Sequence, residues 1–254
     1  DQTPHSFIAA AFTFLAAYGV SKGLEVIARS SQFMFPIVAA AFFVIVIPVL
    51  REVDYTFLLP ILNTEPPKFF LAAFINFSFP FTEMVLFTMI FPYLSEKENI
   101  FVPALKGMLI AGGALFIKTL LIVAIFRPQF AASMIYPFYN LSRLISVAGF
   151  LERFDPLMVG AFILTGFVKI SLCYYAACLG LGQLLGLRDY RPLILPMGAL
   201  MVAFSLVVYP NMAAERLSLT RVSPFITFPF KVIFPLLLLL VAGFRPKGSK
   251  GEKF

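Results

Sequence analysis

The sequence predicts an all-α, polytopic membrane protein, and two observations support this prediction. Of its 254 residues, 60% are hydrophobic and only 13% are charged, and the mean hydropathy is +0.92. Soluble domains carry about 25% charged residues, so this chain is too apolar to be one of them. Uncharged runs of about 20 residues, the length that crosses a bilayer as a helix, also recur along the chain.

The composition excludes a water-soluble enzyme, a nucleic-acid binder and a disordered chain. The 20 basic residues outnumber the 13 acidic ones, but they are spread along apolar runs and form no basic face. His5 is the only histidine, and the five-residue spacing of Cys173 and Cys178 fits neither a redox pair nor a metal site. We therefore predict no catalytic residue, no cofactor, no metal and no nucleic-acid partner. The lipid bilayer is the predicted environment of the apolar spans.

Seven apolar runs predict seven membrane spans, because each is long enough to cross the hydrocarbon as a helix. They lie at about 5–28, 32–50, 67–95, 103–126, 155–187, 191–209 and 222–244. Residues 1–244 then form a single transmembrane domain, and residues 245–254 form a basic tail. Seven crossings place the two ends of this chain on opposite sides of the membrane.

The basic residues in the loops beside the spans predict a cytoplasmic tail. With the tail inside, the cytoplasmic side holds ten basic residues: Lys22, Arg29, Lys97, Lys106, Arg188, Arg191, Arg245, Lys247, Lys250 and Lys253. The other side holds seven: Arg51, Lys68, Arg127, Arg143, Arg153, Arg216 and Arg221. The excess of three favours this orientation over the reverse one.

The third span combines a proline with four polar side chains near its midpoint: Asn76, Ser78, Pro80, Thr82 and Glu83. Pro80 lacks an amide hydrogen and its ring clashes with the preceding turn, so we predict a break in the helix near 77–82. Non-helical backbone at this depth is tolerated only where it lines a protein-enclosed or watered cavity. The alternative is a plain proline kink in which Glu83 faces a neighbouring helix.

Four spans each contain one charged side chain: Glu83, Lys118, Lys169 and Lys231. A lysine at the centre of a membrane helix costs about 2.5–3.5 kcal/mol to insert, so it requires a partner or water. We predict that one lysine pairs with Glu83 or replaces a coupling cation. Lys169 is the best placed because it lies far from both ends of its span, whereas long stems let Lys118 and Lys231 reach the interface. Glu83 and Lys169 are therefore the candidates for proton coupling or ion mimicry.

Four short segments carry a family resemblance: GLEVIAR at 23–29, LPIL at 59–62, FLERFDP at 150–156 and LRDYRP at 187–192. In their order and spacing they resemble the B subunits of bacterial spore germinant receptors, which belong to the amino acid, polyamine and organocation transporter superfamily. The similarity extends over nearly the whole chain.

The resemblance implies a leucine-transporter-type fold of two inverted five-helix repeats, of which this chain covers about helices 4 to 10 and lacks the first three. Its third span then corresponds to the sixth helix. The resemblance places a substrate site at the break, formed by Asn76, Ser78, Phe79, Thr82 and Glu83. It also implies A and C subunits as partners, a location in the spore inner membrane, and a small nutrient, of the amino-acid class, as ligand.

Three functions follow from these observations, in order of preference. The first is a receptor subunit that binds a nutrient and triggers germination. The second is a proton-coupled secondary amino-acid transporter, in which Glu83 or Lys169 exchanges protons. The third is an assembly protein whose spans merely anchor its partners, and this function would make the break and the buried charges incidental.

Overall fold

The computed structural model describes residues 4–60, 64–94, 100–144 and 155–244, and every regular element in these ranges is helical. The α-helices are α1 His5–Lys22, α2 Leu24–Val49, α3 Pro66–Ser78, α4 Phe101–Phe126, α5 Pro128–Ser133, α6 Pro137–Ser142, α7 Asp155–Leu184, α8 Ile194–Val207, α9 Met212–Arg221, α10 Ser223–Phe228 and α11 Phe234–Phe244. Short 3-10 segments occupy Leu50–Glu52, Tyr55–Leu58, Phe81–Met89, Phe91–Tyr93 and Arg191–Leu193, and a π-helical segment occupies Pro229–Ile233. The predicted basic tail lies outside the described residues.

Five helical stretches among the described residues are long and apolar enough to cross a membrane. They are Leu24–Glu52, Pro66–Met89, Phe101–Phe126, Asp155–Leu184 and Ser223–Phe244, and α8 with α9 counts as a sixth if the two form one broken span. The prediction of an all-α, polytopic membrane protein is therefore confirmed. The 18-residue α1 is not among these stretches, so the count of seven crossings stays a prediction.

The boundary between the first two helices differs from the sequence-based expectation. The predicted spans end at 28 and begin again at 32, whereas α1 ends at Lys22 and α2 begins at Leu24. Gly23 makes the turn alone with φ 96°, a conformation that residues with a Cβ rarely adopt. Glu25 and Arg29 form an ion pair of 2.7 Å one helical turn apart, so the charged stretch continues the helix instead of interrupting it.

The chain divides into two compact units, Asp1–Asn63 with Leu94–Ser205, and Thr64–Tyr93 with Leu206–Phe254. In the first unit, α1 and α2 pack on α7. Its apolar core includes Ile45, Val49, Leu121, Leu141 and Met158. Leu141 on the short helix α6 is fully buried, which ties the connection after α4 into this core.

Tyrosine hydroxyls fix the end of α7 and the chain that follows it. Tyr174, buried on α7, donates a hydrogen bond to the carbonyl of Ile194 at the start of α8. Tyr190 donates to the carbonyl of Val20 on α1 over 3.0 Å. Tyr174 thus links α7 to α8, and Tyr190 links the connection after α7 to α1. A phenol removed from water needs such a polar partner.

The second unit contains the interrupted third span and the last helices of the chain. Its aromatic contacts join α3 to α10, since the Phe74 ring lies 5.4 Å from that of Phe225 and 5.2 Å from that of Phe228. The 3-10 segment Phe81–Met89 also contacts the π-helical segment Pro229–Ile233. These contacts hold the interruption of the third span against the last span.

Candidate functional site

The third span is interrupted at Phe79 and Pro80. Helix α3 ends at Ser78, Phe79 is extended with φ −148° and ψ 121°, and the chain continues from Phe81 as a 3-10 segment. The Phe79 amide still donates to the Ile75 carbonyl over 3.2 Å, but Pro80 has no amide hydrogen to offer the Asn76 carbonyl. The interruption lies within the predicted stretch 77–82, although its second half is a 3-10 helix and not an α-helix.

Two buried hydroxyl groups flank the interruption. The Thr82 hydroxyl donates to the Ser78 carbonyl over 2.6 Å and thus takes the place of a backbone amide. Thr82 and Ser78 are only 6% and 2% exposed. The Ser78 hydroxyl makes no hydrogen bond with any described atom. Leaving such a group unsatisfied costs about 1–3 kcal/mol, so this atom is a natural point of contact for a polar ligand.

Glu83 brings a negative charge to the same segment, and Lys231 of the last span faces it. The two side chains lie 4.0 Å apart, from Oε1 to Nζ, and are 25% and 21% exposed. This distance exceeds a hydrogen bond, so the contact is one between charges. Lys231 lies in the π-helical segment, a type of helix defect that occurs frequently at functional sites.

The lysine beside Glu83 is Lys231, whose long stem was expected to reach the membrane interface. The signal for Lys231 was its position two residues after Pro229, which starts the π-helical segment. Lys169, the favoured candidate, lies on α7 in the first unit with an exposed side chain, and its relation to Glu83 stays a prediction. Lys118 lines an apolar cavity of the first unit.

The remaining predicted site residues, Asn76 and Phe79, are more exposed than these groups. The Asn76 amide donates to the Ala72 carbonyl of its own helix over 2.9 Å, and its side chain is exposed. Phe79 is 44% exposed. The structure therefore groups Ser78, Thr82 and Glu83 together, adds Lys231, and leaves the Asn76 side chain exposed and bonded to its own helix.

This arrangement provides polar groups for a small ligand and none of the usual features of a metal centre. Among the described residues, no group of three His, Cys, Asp or Glu side chains could hold a metal ion. Ser78 offers an unsatisfied hydroxyl, while Glu83 and Lys231 provide one charge of each sign. A zwitterion complements such a pair of charges, because its ammonium and carboxylate can each meet the opposite sign.

Comparison with protein families matches residues 1–213 to the family described as "Spore germination protein". The chain belongs to this family. It is therefore a multi-pass membrane protein of the spore germination family. No solved structure matches the chain.

Three relatives give the extent of the similarity. Spore germination protein KB of Bacillus subtilis (strain 168) is 29% identical, over 99% of this chain and 69% of its own length. Spore germination protein YndE of the same organism is 24% identical, over 98% of this chain and 68% of its own. Spore germination protein XB of Bacillus anthracis is 24% identical, over 68% of this chain and 48% of its own.

Proposed function

We propose that this chain is the transporter-like membrane subunit of a nutrient germinant receptor, which binds a small nutrient of the amino-acid class and triggers spore germination. Membership of the spore germination family supports the biological role. The observation that carries the ligand proposal is the buried, unsatisfied Ser78 hydroxyl at an interruption of a membrane span, close in sequence to the charged Glu83. The proposal includes A and C subunits as partners, the spore inner membrane as location, and the 5+5 inverted-repeat fold.

The ligand would be held by charge and by the open backbone of the interruption. Its ammonium group would bind the Glu83 carboxylate and its carboxylate would bind the Lys231 ammonium. The Ser78 hydroxyl would complete the set. Because Glu83 and Lys231 stand at 4.0 Å without a short hydrogen bond, a ligand replaces a weak contact by two charge-assisted hydrogen bonds, which are the stronger kind.

The test is Glu83→Gln in the full-length protein, assayed in spores over a range of nutrient concentrations. Removing the negative charge should raise the nutrient concentration for half-maximal germination by roughly tenfold or more, the effect of one lost charge-assisted contact. The matched control is Glu65→Gln, because Glu65 belongs to the same unit but has 71% of its side chain exposed. Receptor abundance is measured in parallel. A Glu83→Gln response equal to that of wild type at normal abundance would contradict the proposed site.

The second candidate, a proton-coupled amino-acid carrier, is favoured by one observation: a carboxylate that is only 25% exposed lies in an interrupted membrane span. Intramembrane carboxylates commonly serve as proton relays. In this case Glu83 and Lys169 would be the proton-coupling or ion-mimic residues. Saturable uptake of labelled amino acids into proteoliposomes, driven by a proton gradient without partner subunits, would favour the carrier over the receptor.

A further inference from the structure

A half-open cavity of about 440 Å³ lies in the first unit, between α2, α4, α6 and α7. Four alanines on three of these helices leave the space open: Ala41, Ala111, Ala114 and Ala161. Phenyl rings such as Phe42 and Phe138 close other parts of the wall. The volume falls within the range of small-molecule sites, roughly 300–1,000 Å³. Its wall is hydrocarbon except for two side chains, Lys118 and Thr165.

Lys118 provides the one charge among the residues of this wall. Its Nζ lies 5.9 Å from the centroid of the Phe138 ring, at the outer limit of a cation–π contact. No carboxylate of the described residues lies within 4.0 Å of this ammonium. Thr165 donates its proton to the Ala161 carbonyl over 2.8 Å. An ammonium beside so much hydrocarbon is strongly stabilised by an anion.

The depth of Lys118 restricts what that anion can be. Helix α4 ends at Phe126, eight residues later, which places the lysine backbone roughly 12 Å from the end of the helix. The helix is one of the candidate membrane spans. A ligand that enters here from the bilayer must itself be apolar, apart from one acidic group that meets the ammonium.

We infer that this cavity binds an apolar monocarboxylate of the fatty-acid class, with its carboxylate at Lys118 and its hydrocarbon chain against the alanine-lined wall. This is a second site, formed by residues of the first unit alone. It therefore does not depend on the nutrient site proposed at Ser78 and Glu83, which lies in the second unit. The Lys118 stem then places an ammonium group at the cavity. The sequence had suggested instead that this stem reaches the membrane interface.

The test uses the full-length protein in lipid nanodiscs and decanoic acid carrying a photoreactive diazirine on its chain. Photolabelling should be saturable and should map by mass spectrometry to the cavity wall. The methyl ester of the same probe, which has no charge, should label roughly tenfold less, as expected for one lost charge-assisted hydrogen bond. Unlabelled decanoic acid should compete with the acid probe.

Two kinds of variant test the charge of Lys118 and the volume of the cavity separately. Lys118→Met should lower labelling roughly tenfold, whereas Lys118→Arg should retain most of it. The control Lys106→Met removes an exposed lysine of the same helix that is not part of the wall and should label like wild type. Ala161→Leu fills the cavity without changing charge, so it should also lower labelling.

Each variant is first checked for an unchanged elution profile and melting temperature. Equal labelling by acid and ester, or wild-type labelling of correctly folded Lys118→Met, would overturn the inference and leave only an apolar groove that lipid fills. Labels that map outside the cavity wall would overturn it as well. Unchanged labelling in Glu83→Gln is expected, so this test and the germination assay can fail independently.

Discussion

Glu83 and Lys231 stand 4.0 Å apart, and each lies where its span departs from regular α-helix. Their side chains are about three-quarters buried within the structure. Removing one partner of a fully buried ion pair costs about 3–5 kcal/mol, whereas exposed pairs contribute about 0–1 kcal/mol. Because this pair is partly exposed and its atoms are 4.0 Å apart, the free energy that it contributes should lie between these two values.

We therefore expect Lys231→Met to lower the free energy of unfolding by about 1–2 kcal/mol, because Glu83 loses this partner. The double variant Glu83→Gln/Lys231→Met should be less destabilised than the sum of the two single variants. Unfolding of the purified full-length protein in mixed micelles measures these differences, and the double-mutant cycle isolates the pairwise energy.

The control for this cycle is Lys68→Met in the same unit. Lys68 and Glu65 are closer together, at 3.0 Å, but their side chains are 70% and 71% exposed. This variant should change stability by less than about 0.5 kcal/mol, since water screens such pairs. Strictly additive single variants at Glu83 and Lys231 would show that the two charges do not interact.

At the scale of single elements, the third span shows what local chemistry can predict. The interruption follows from Pro80, whose missing amide hydrogen is a property of the residue itself. The 3-10 form of the second half and the exposure of the Asn76 side chain were not predictable, because they depend on packing. Similarly, the last span was predicted from its hydropathy, but its π-helical segment and its packing against the third span, which bring Lys231 to Glu83, were not.

Replacing Pro80 by alanine tests whether this residue maintains the interruption. Pro80→Ala supplies an amide that can donate to the Asn76 carbonyl and removes the ring that blocks a continuous helix. We expect α3 to extend past Ser78 and amide exchange at 79–83 to slow by about tenfold. The nutrient response should weaken, since the open backbone of the proposed site is lost. Hydrogen–deuterium exchange with mass spectrometry measures the first effect and spore germination the second.

The control is Pro36→Ala, because Pro36 lies inside α2, which remains helical from Leu24 to Val49. This variant should leave exchange in the third span unchanged. If Pro80→Ala exchanges like wild type at 79–83, tertiary packing and not the proline determines the interruption.

At the scale of the whole molecule, hydropathy determined the fold class but not the number of crossings. The average composition suffices to predict membrane helices, and the described residues contain five or six candidate spans. The turn at Gly23 was missed because the apolar run 5–28 continues through it, and a single glycine with positive φ does not change the hydropathy pattern. Two-fold repeat symmetry is a property of the entire fold, so it stays a proposal for this chain.

The orientation of the chain in the membrane depends on the basic residues along the whole sequence. Helix α2 has 26 residues and is about 39 Å long, enough to cross a hydrocarbon core of about 30 Å. Asp54 follows α2 and is exposed, so a cysteine there can be labelled. The count of basic residues assigns the Arg51 end of α2 to the outer side and the tail to the cytoplasm. We therefore place Asp54 outside and Lys247 inside.

In intact vegetative cells that express the full-length protein without other accessible cysteines, Asp54→Cys should react with a membrane-impermeant maleimide. Lys247→Cys should react at least about tenfold more slowly until the cells are permeabilised, because basic residues are retained on the cytoplasmic side. Rapid reaction of Lys247→Cys in intact cells, with protection of Asp54→Cys, would reverse the orientation. Permeabilised cells provide the control, since both cysteines should then react at similar rates.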